Sequence, residues 1–304
     1  VSLLYGEKCA LSFALTILVA LAVGFLLTKL CRGEHGSSSI KDGFMIVALT
    51  WIMLSAIGAL PFVFSREIPL YVDAFFETVS GSTTTGATIL PDVEALSRGM
   101  LFWRSFTHWI GGMGILVFVV MLLKTPDRSI NILKAEMPGP TMDKLAPKSK
   151  DTARILYLLY MALTVLEIVF LLLGGMSLFD SVVHALSTAG TGGFGFRNDS
   201  FASFSPYIQW VVTVFMILFG VNFNAYFLLL MRRFRRAAAS EEVRGYFVVI
   251  AAAIAIITAN IYSLYNSFGE ALRQAAFQVG SIITTTGFSS CDFDLWPTLS
   301  KEIL

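Results

Sequence analysis

Charged side chains are in short supply in this sequence. Asp, Glu, Lys and Arg make up 14% of its 304 residues, against about 25% in an ordinary soluble domain. That shortage leaves too little to cover a water-exposed surface and excludes a soluble globular fold. Cysteine is scarce as well: Cys9, Cys31 and Cys291 are the whole supply. Their odd number argues against a disulfide framework, and their separation does not match metal-ligand spacing. They read as small packing residues. A net charge of +1 says nothing about partners. What is abundant is apolar, at 56% of residues with a mean hydropathy of +0.73.

The apolar residues are gathered into uncharged runs at 10–28, 44–64, 105–123, 155–175, 207–231 and 246–265. Each is long enough, at about 1.5 Å per residue, to cross roughly 30 Å of hydrocarbon. Six spanning helices are predicted. Glu167 is the one formal charge inside them, and His108 the one imidazole. No small-residue cleavage site follows the first run, so a signal peptide is not expected. The chain does not begin with Met and reads as a fragment at both ends.

The loops set an orientation. Lys124, Arg128, Lys134, Lys144, Lys148, Lys150 and Arg154 cluster in one loop, and Arg232, Arg233, Arg235, Arg236 and Arg244 in another; the loop at 32–41 is also basic. The remaining connections are acidic, with Asp73, Glu77, Asp92, Glu94, Asp180, Asp199, Asp292 and Asp294. Basic loops stay in the cytoplasm. The arginine run at 232–236 abuts a span and is not a nucleic-acid patch.

One short motif is written three times: Ser82-Thr83-Thr84-Thr85-Gly86-Ala87, Thr188-Ala189-Gly190-Thr191-Gly192-Gly193 and Ile283-Thr284-Thr285-Thr286-Gly287-Phe288. The copies recur at roughly 100-residue intervals, the signature of an internal repeat. Each follows an apolar segment of about ten residues, too short to span and read as a re-entrant half-helix. The repeating unit is helix, half-helix, motif, helix. The predicted organisation is a leading helix and loop at 1–40, a first unit at 41–124, a cytoplasmic loop at 125–150, a second unit at 151–236 and an incomplete third at 237–304.

Three equivalent stretches at one depth suit a ring of backbone carbonyls, which can replace the hydration shell of a hard monovalent cation without formal charge. Aiming successive carbonyls at one axis needs backbone angles that Cβ atoms resist, so Gly86, Gly192 and Gly287 are where strained turns are expected. The predicted filter comprises Thr84, Thr85 and Gly86; Gly190, Thr191 and Gly192; and Thr285, Thr286 and Gly287. The partial negative charge at the half-helix ends would face the ion.

Further stretches carry a resemblance: Ala48-Leu49-Thr50-Trp51 with Gly58-Ala59-Leu60-Pro61-Phe62; Phe102-Trp103-Arg104-Ser105 with His108-Trp109-Ile110-Gly111-Gly112-Met113-Gly114; Ala135-Glu136-Met137-Pro138-Gly139-Pro140; and the run from Ser187 to Phe194. In these the chain resembles the Trk/Ktr/HKT superfamily of potassium transporters, closely its bacterial TrkH branch. The resemblance implies an all-α polytopic fold of four helix–pore loop–helix units around one pseudo-fourfold ion pore. It implies potassium uptake across the bacterial inner membrane, a homodimer, and regulation by a cytosolic nucleotide-binding subunit of the TrkA type. Glycine in all three copies resembles the potassium-preferring type; a sodium or non-selective transporter of the same fold is the alternative. No cofactor is implied beyond the transported ion, and no partner but membrane lipid and those subunits. A fourth unit, the outgoing helix of the third and the family's pore-facing arginine have no counterpart here.

Other residues allow two readings. Glu167 is either functional or a carboxyl hydrogen-bonded between helices. Asn222 and Asn224 read as helix bridges, and Gly111, Gly112 and Gly114 as sites of close packing or bending. A rival class is an intramembrane hydrolase with Ser80 paired to His108 or His184. It uses one copy of the motif and leaves the repeat unexplained.

Overall fold

The computed structural model describes residues 1–30, 40–114 and 149–304. Among them there is no β-strand. The helices fall into two compact bodies: Val1–Thr83 with Ala87–Tyr157, and Thr84–Gly86 with Leu158–Leu304. Among the described residues, four helical stretches are long and apolar enough to cross a membrane: Cys9–Leu30, Phe44–Ser65, Arg154–Leu173 and Glu241–Leu264.

In the first body, α1 (Cys9–Leu30) buries only Cys9, Ser12 and Thr16 of its 22 residues. Its leucines and Phe25 stay uncovered, as a lipid-facing helix requires. The second predicted span forms α2 (Ile40–Gly58) and α3 (Leu60–Ser65), interrupted at Ala59 just before Pro61. Proline supplies no N–H to the helical ladder, and Trp103 Nε1 donates to the carbonyl of Gly58 at 2.9 Å. The first half-helix, α4 (Tyr71–Ser82), packs on α2. Ser55 and Ser82 share a hydroxyl hydrogen bond of 2.9 Å. Helix α5 (Arg98–Met113) packs on α4. Two carboxylates serve its positive N-terminal end: Glu7 accepts from the amides of Arg98 and Gly99, both at 2.9 Å, and Glu67 accepts from the Ser97 amide at 2.8 Å. Gly114 closes α5 with φ 71°, in keeping with the bend expected there. The rest of the third predicted span, 115–123, lies outside the described residues, as does the basic loop to 148.

Helix α6 (Ser149–Leu173), of which Leu158 onward belongs to the second body, is followed by the second half-helix, α7 (Leu178–Ala189). Ser177 caps α7, its hydroxyl accepting from the Asp180 amide, as Ser caps do. The fifth predicted span is not one helix. It forms α8 (Pro206–Phe219) and α9 (Phe223–Leu230) with a break at 220–222. Gly220 lies against the Tyr246 hydroxyl, and a Cβ there would stand 2.6 Å from Thr284 Cγ2. The Ile217 carbonyl freed by the break is satisfied by a side chain, as hydrocarbon demands: Tyr246 donates to it at 3.0 Å, while Leu218 O accepts from the Val221 amide at 3.2 Å and from Tyr226 at 2.6 Å. Asn222 donates to the Glu242 carboxylate at 3.1 Å, so it does bridge helices. The side chain of Asn224 lies outside the described residues.

After the short α10 (Phe234–Ala238), α11 (Glu241–Ile261) packs on the third half-helix, α12 (Phe268–Ile283). Ala271, Ala275 and Val279 form a stripe at a spacing of four that meets Ile250, Ile257 and Ile261. Such spacing keeps one helix face in contact along its length. A final turn of helix, α13 (Thr298–Ile303), also packs on α11.

Candidate functional site

Each half-helix ends at its copy of the motif, and the three ends share one backbone design. After α7, the Thr191 amide donates to Thr188 O at 2.9 Å and the Gly192 amide to Ser187 O at 3.1 Å. After α12, the Thr285 amide donates to Ile282 O at 3.0 Å and the Thr286 amide to Ser281 O at 2.8 Å. This is a Schellman closure, whose left-handed residue is ordinarily glycine. Here it is threonine: Thr191 at φ 51° and Thr285 at φ 58°, with Thr84 at φ 55° after α4. Left-handed geometry costs an L-residue about 1–2 kcal/mol and is least natural for a β-branched one. Two residues further on, Gly86, Gly193 and Gly287 are left-handed again, at φ 77°, 78° and 83°.

This register corrects the sequence alignment of the second copy by one residue. The strained glycine is Gly193, not Gly192. The match of Thr-Gly to Thr-Gly selects the first of two adjacent glycines, whereas the helix closure starts its count at Thr191. Gly192 therefore stands with Thr85 and Thr286, between two left-handed residues. Gly190 stands with Thr83 and Thr284 as the helix cap, at φ −74°. The hydroxyls of Thr83 and Thr284 each return to the carbonyl four residues back, at 2.7 Å. Threonine hydroxyls thus brace the first and third turns against the preceding helix.

The turns touch one another in order. Residues 84–86 group with the second body, and a Cβ on Gly86 would overlap the carbonyl oxygen of Gly192. A Cβ on Gly193 would overlap that of Thr286 in the same way. Each glycine lies on the carbonyl that precedes the next turn's glycine. Among the described residues, no atom beyond its chain neighbours stands within 4 Å of a Cβ placed on Gly287. Backbone carbonyls at a helix C-terminus carry partial negative charge, which favours a cation.

The predicted filter leaves out several buried residues that contact the segments leaving the turns. Glu77 and Arg104 form an ion pair of 2.7 Å, with side chains 0% and 2% exposed. The Glu77 carboxylate also accepts from the Thr88 hydroxyl, at 2.9 and 3.1 Å, and from the Ile89 amide at 3.1 Å. Gln278 Nε2 donates to Ser289 Oγ at 3.2 Å and to Cys291 O at 3.4 Å. His184 is fully buried among Phe196, Phe201, Phe204 and Phe288, with ring centroids 4.5 to 5.9 Å away. Glu77, His184 and Gln278 each precede the left-handed glycine by nine residues. That common offset was the signal available in the sequence, and the one-residue slip in the second copy hid it.

Glu167 is fully buried in α6, and the side chain it faces on the next helix is Thr188 of α7, without close hydrogen-bond geometry. The hydrolase dyad is not formed among the described residues. The Ser80 hydroxyl has no partner, and His108 Nδ1 lies 2.8 Å from the carbonyl of Gly81.

Fold and site define a helical membrane protein that repeats a half-helix and a strained, glycine-bearing turn. The comparisons with known proteins make this specific. The family described as "TrkH: Cation transport protein" matches residues 10–253, and the chain belongs to that family. The Trk system potassium uptake protein TrkH of Salmonella typhimurium is 38% identical over the whole chain. TrkG of Escherichia coli K12, named a Trk system potassium uptake protein, is 33% identical over 98% of it. The crystal structure of the potassium transporter TrkH from Vibrio parahaemolyticus superposes with a TM-score of 0.84 at 32% identity, covering 99% of this chain and 63% of that one. The chain spans 64% of the length of the Salmonella relative and 63% of TrkG.

Proposed function

We propose that the protein takes up potassium across the bacterial inner membrane through a filter built from Thr84–Gly86, Thr191–Gly193 and Thr285–Gly287. The observation that carries this reading is the contact chain of the turns, with Gly86 and Gly193 each seated on a carbonyl of the next turn. Potassium uptake in the names of the relatives supports the choice of ion. Glycine in all three turns supports it further, because a ring of carbonyls without added side-chain oxygens suits a large, weakly hydrated cation. Four such turns close a pore; the open side of Gly287 is where we place a fourth, supplied by sequence corresponding to the remainder of the relatives. The basic loops face the cytoplasm and the turns open outward. Homodimerisation and a cytosolic TrkA-type regulator belong to the same proposal, with membrane lipid as the surrounding medium.

The test is complementation. The gene carrying this sequence is expressed in cells that lack potassium uptake, and growth is followed at low external potassium together with potassium and sodium influx. Growth and potassium influx are expected. Sodium influx without potassium influx would overturn the choice of ion, and influx of neither would overturn transport.

A further inference from the structure

The three residues nine positions before the left-handed glycines each contact the arm that leaves their own turn, but in different ways. Gln278 ties the arm that leaves the third turn, through Ser289 and Cys291. His184 meets the second arm through ring contacts: a Cβ on Gly195 would stand 3.5 Å from its Cε1. Glu77 ties the first arm with charge. Its two oxygens receive the Thr88 hydroxyl, the Ile89 amide and Arg104 Nε, and Arg104 reaches back to Thr88 Oγ1 at 3.3 Å. A carboxylate offers about four acceptor positions, and this one is filled by the arm and its counter-ion.

A buried ion pair is a poor way to gain stability. Apolar residues of similar volume commonly hold a core as well or better, because both charges must first lose their water. What the pair offers instead is a fixed position. Two acceptor oxygens, held by Arg104 inside a closed network, pin Thr88 and Ile89 two and three residues after Gly86. The pair is neutral as a whole, so it adds no net charge to the pore.

We propose that Glu77, held by Arg104, is a positioning residue that fixes the leaving arm of the first turn through Thr88 and thereby sets its ion preference. The inference rests on the filter reading above. A turn whose arm is free to shift lets its carbonyls relax around a smaller ion, so selectivity falls before throughput does.

Substituting Glu77 alone strands a buried guanidinium and endangers folding, so the deciding variant is at Thr88, which is exposed. Thr88→Val removes the hydroxyl and keeps the shape; Thr88→Ser keeps the hydroxyl. Both are made in the complete gene product, and potassium and sodium influx are measured at matched membrane levels. Thr88→Val is expected to lower the potassium-to-sodium ratio about fivefold, the worth of one net hydrogen bond, while Thr88→Ser keeps the unmodified ratio. An unchanged ratio in Thr88→Val, or an equal loss of both fluxes, overturns the proposal. An unmodified protein with no potassium preference would sink the filter reading as well, so the two failures are told apart by the control.

Discussion

At the scale of single residues, the site is defined by where left-handed backbone is tolerated and where it is not. Thr84, Thr191 and Thr285 accept a conformation that costs a β-branched residue free energy. Surrounding structure must offset that cost, and such strain concentrates at functional positions. Gly86 and Gly193 carry a second restriction, because a side chain there would meet a carbonyl of the neighbouring turn. Gly192 has neither a positive φ nor the same position in the repeat. Gly192→Ala should therefore disturb potassium influx much less than Gly193→Ala, compared at equal membrane levels. Equal loss from both would return the strained position to Gly192.

At the scale of elements, the breaks in helices matter as much as the helices. The apolar run at 207–231 reads as one span, and hydropathy has no means of seeing otherwise, because every residue in it is compatible with lipid. The break at 220–222 is a tertiary effect. It follows from the approach of Tyr246 and Thr284 to Gly220, and from the Tyr246 hydroxyl that arrives to serve the freed Ile217 carbonyl. Tyr246→Phe should leave Ile217 O without this donor and lower stability by about 1–3 kcal/mol, read as a lower Tm of the purified protein in detergent. Gly220→Ala should also destabilise, by about 1–3 kcal/mol, because its methyl group overpacks a filled contact. An unchanged Tm in both variants would mean the break is not held by these contacts. The half-helices, by contrast, were legible. Short apolar segments ending in small and hydroxylated residues predicted α4, α7 and α12, and all three end within the motif or at its edge.

At the scale of the whole molecule, composition and the uneven spread of charge were enough to read a polytopic helical membrane protein. Those signals are sums over many residues, so one misread position does not disturb them. The register of the second turn and the Glu77–Arg104 pair were not legible, because each depends on a helix closure or a side-chain meeting that no local pattern encodes. Orientation remains a sequence-level inference from the basic loops and has its own check. Single cysteines placed beside Lys144 and Arg235 should react with impermeant thiol reagents only from the cytoplasm, and one beside Asp92 only from outside. Labelling from the opposite sides would invert the topology and the direction in which the turns open.

The most direct measurement is the potassium-to-sodium influx ratio of the complete gene product carrying Gly193→Ser. The added side chain meets the Thr286 carbonyl and is strained at φ 78°, so the cage should lose its fit for potassium. The expected result is a clear fall in the ratio with the protein still present in the membrane. An unchanged ratio at normal membrane level would contradict the assignment of these turns as the filter.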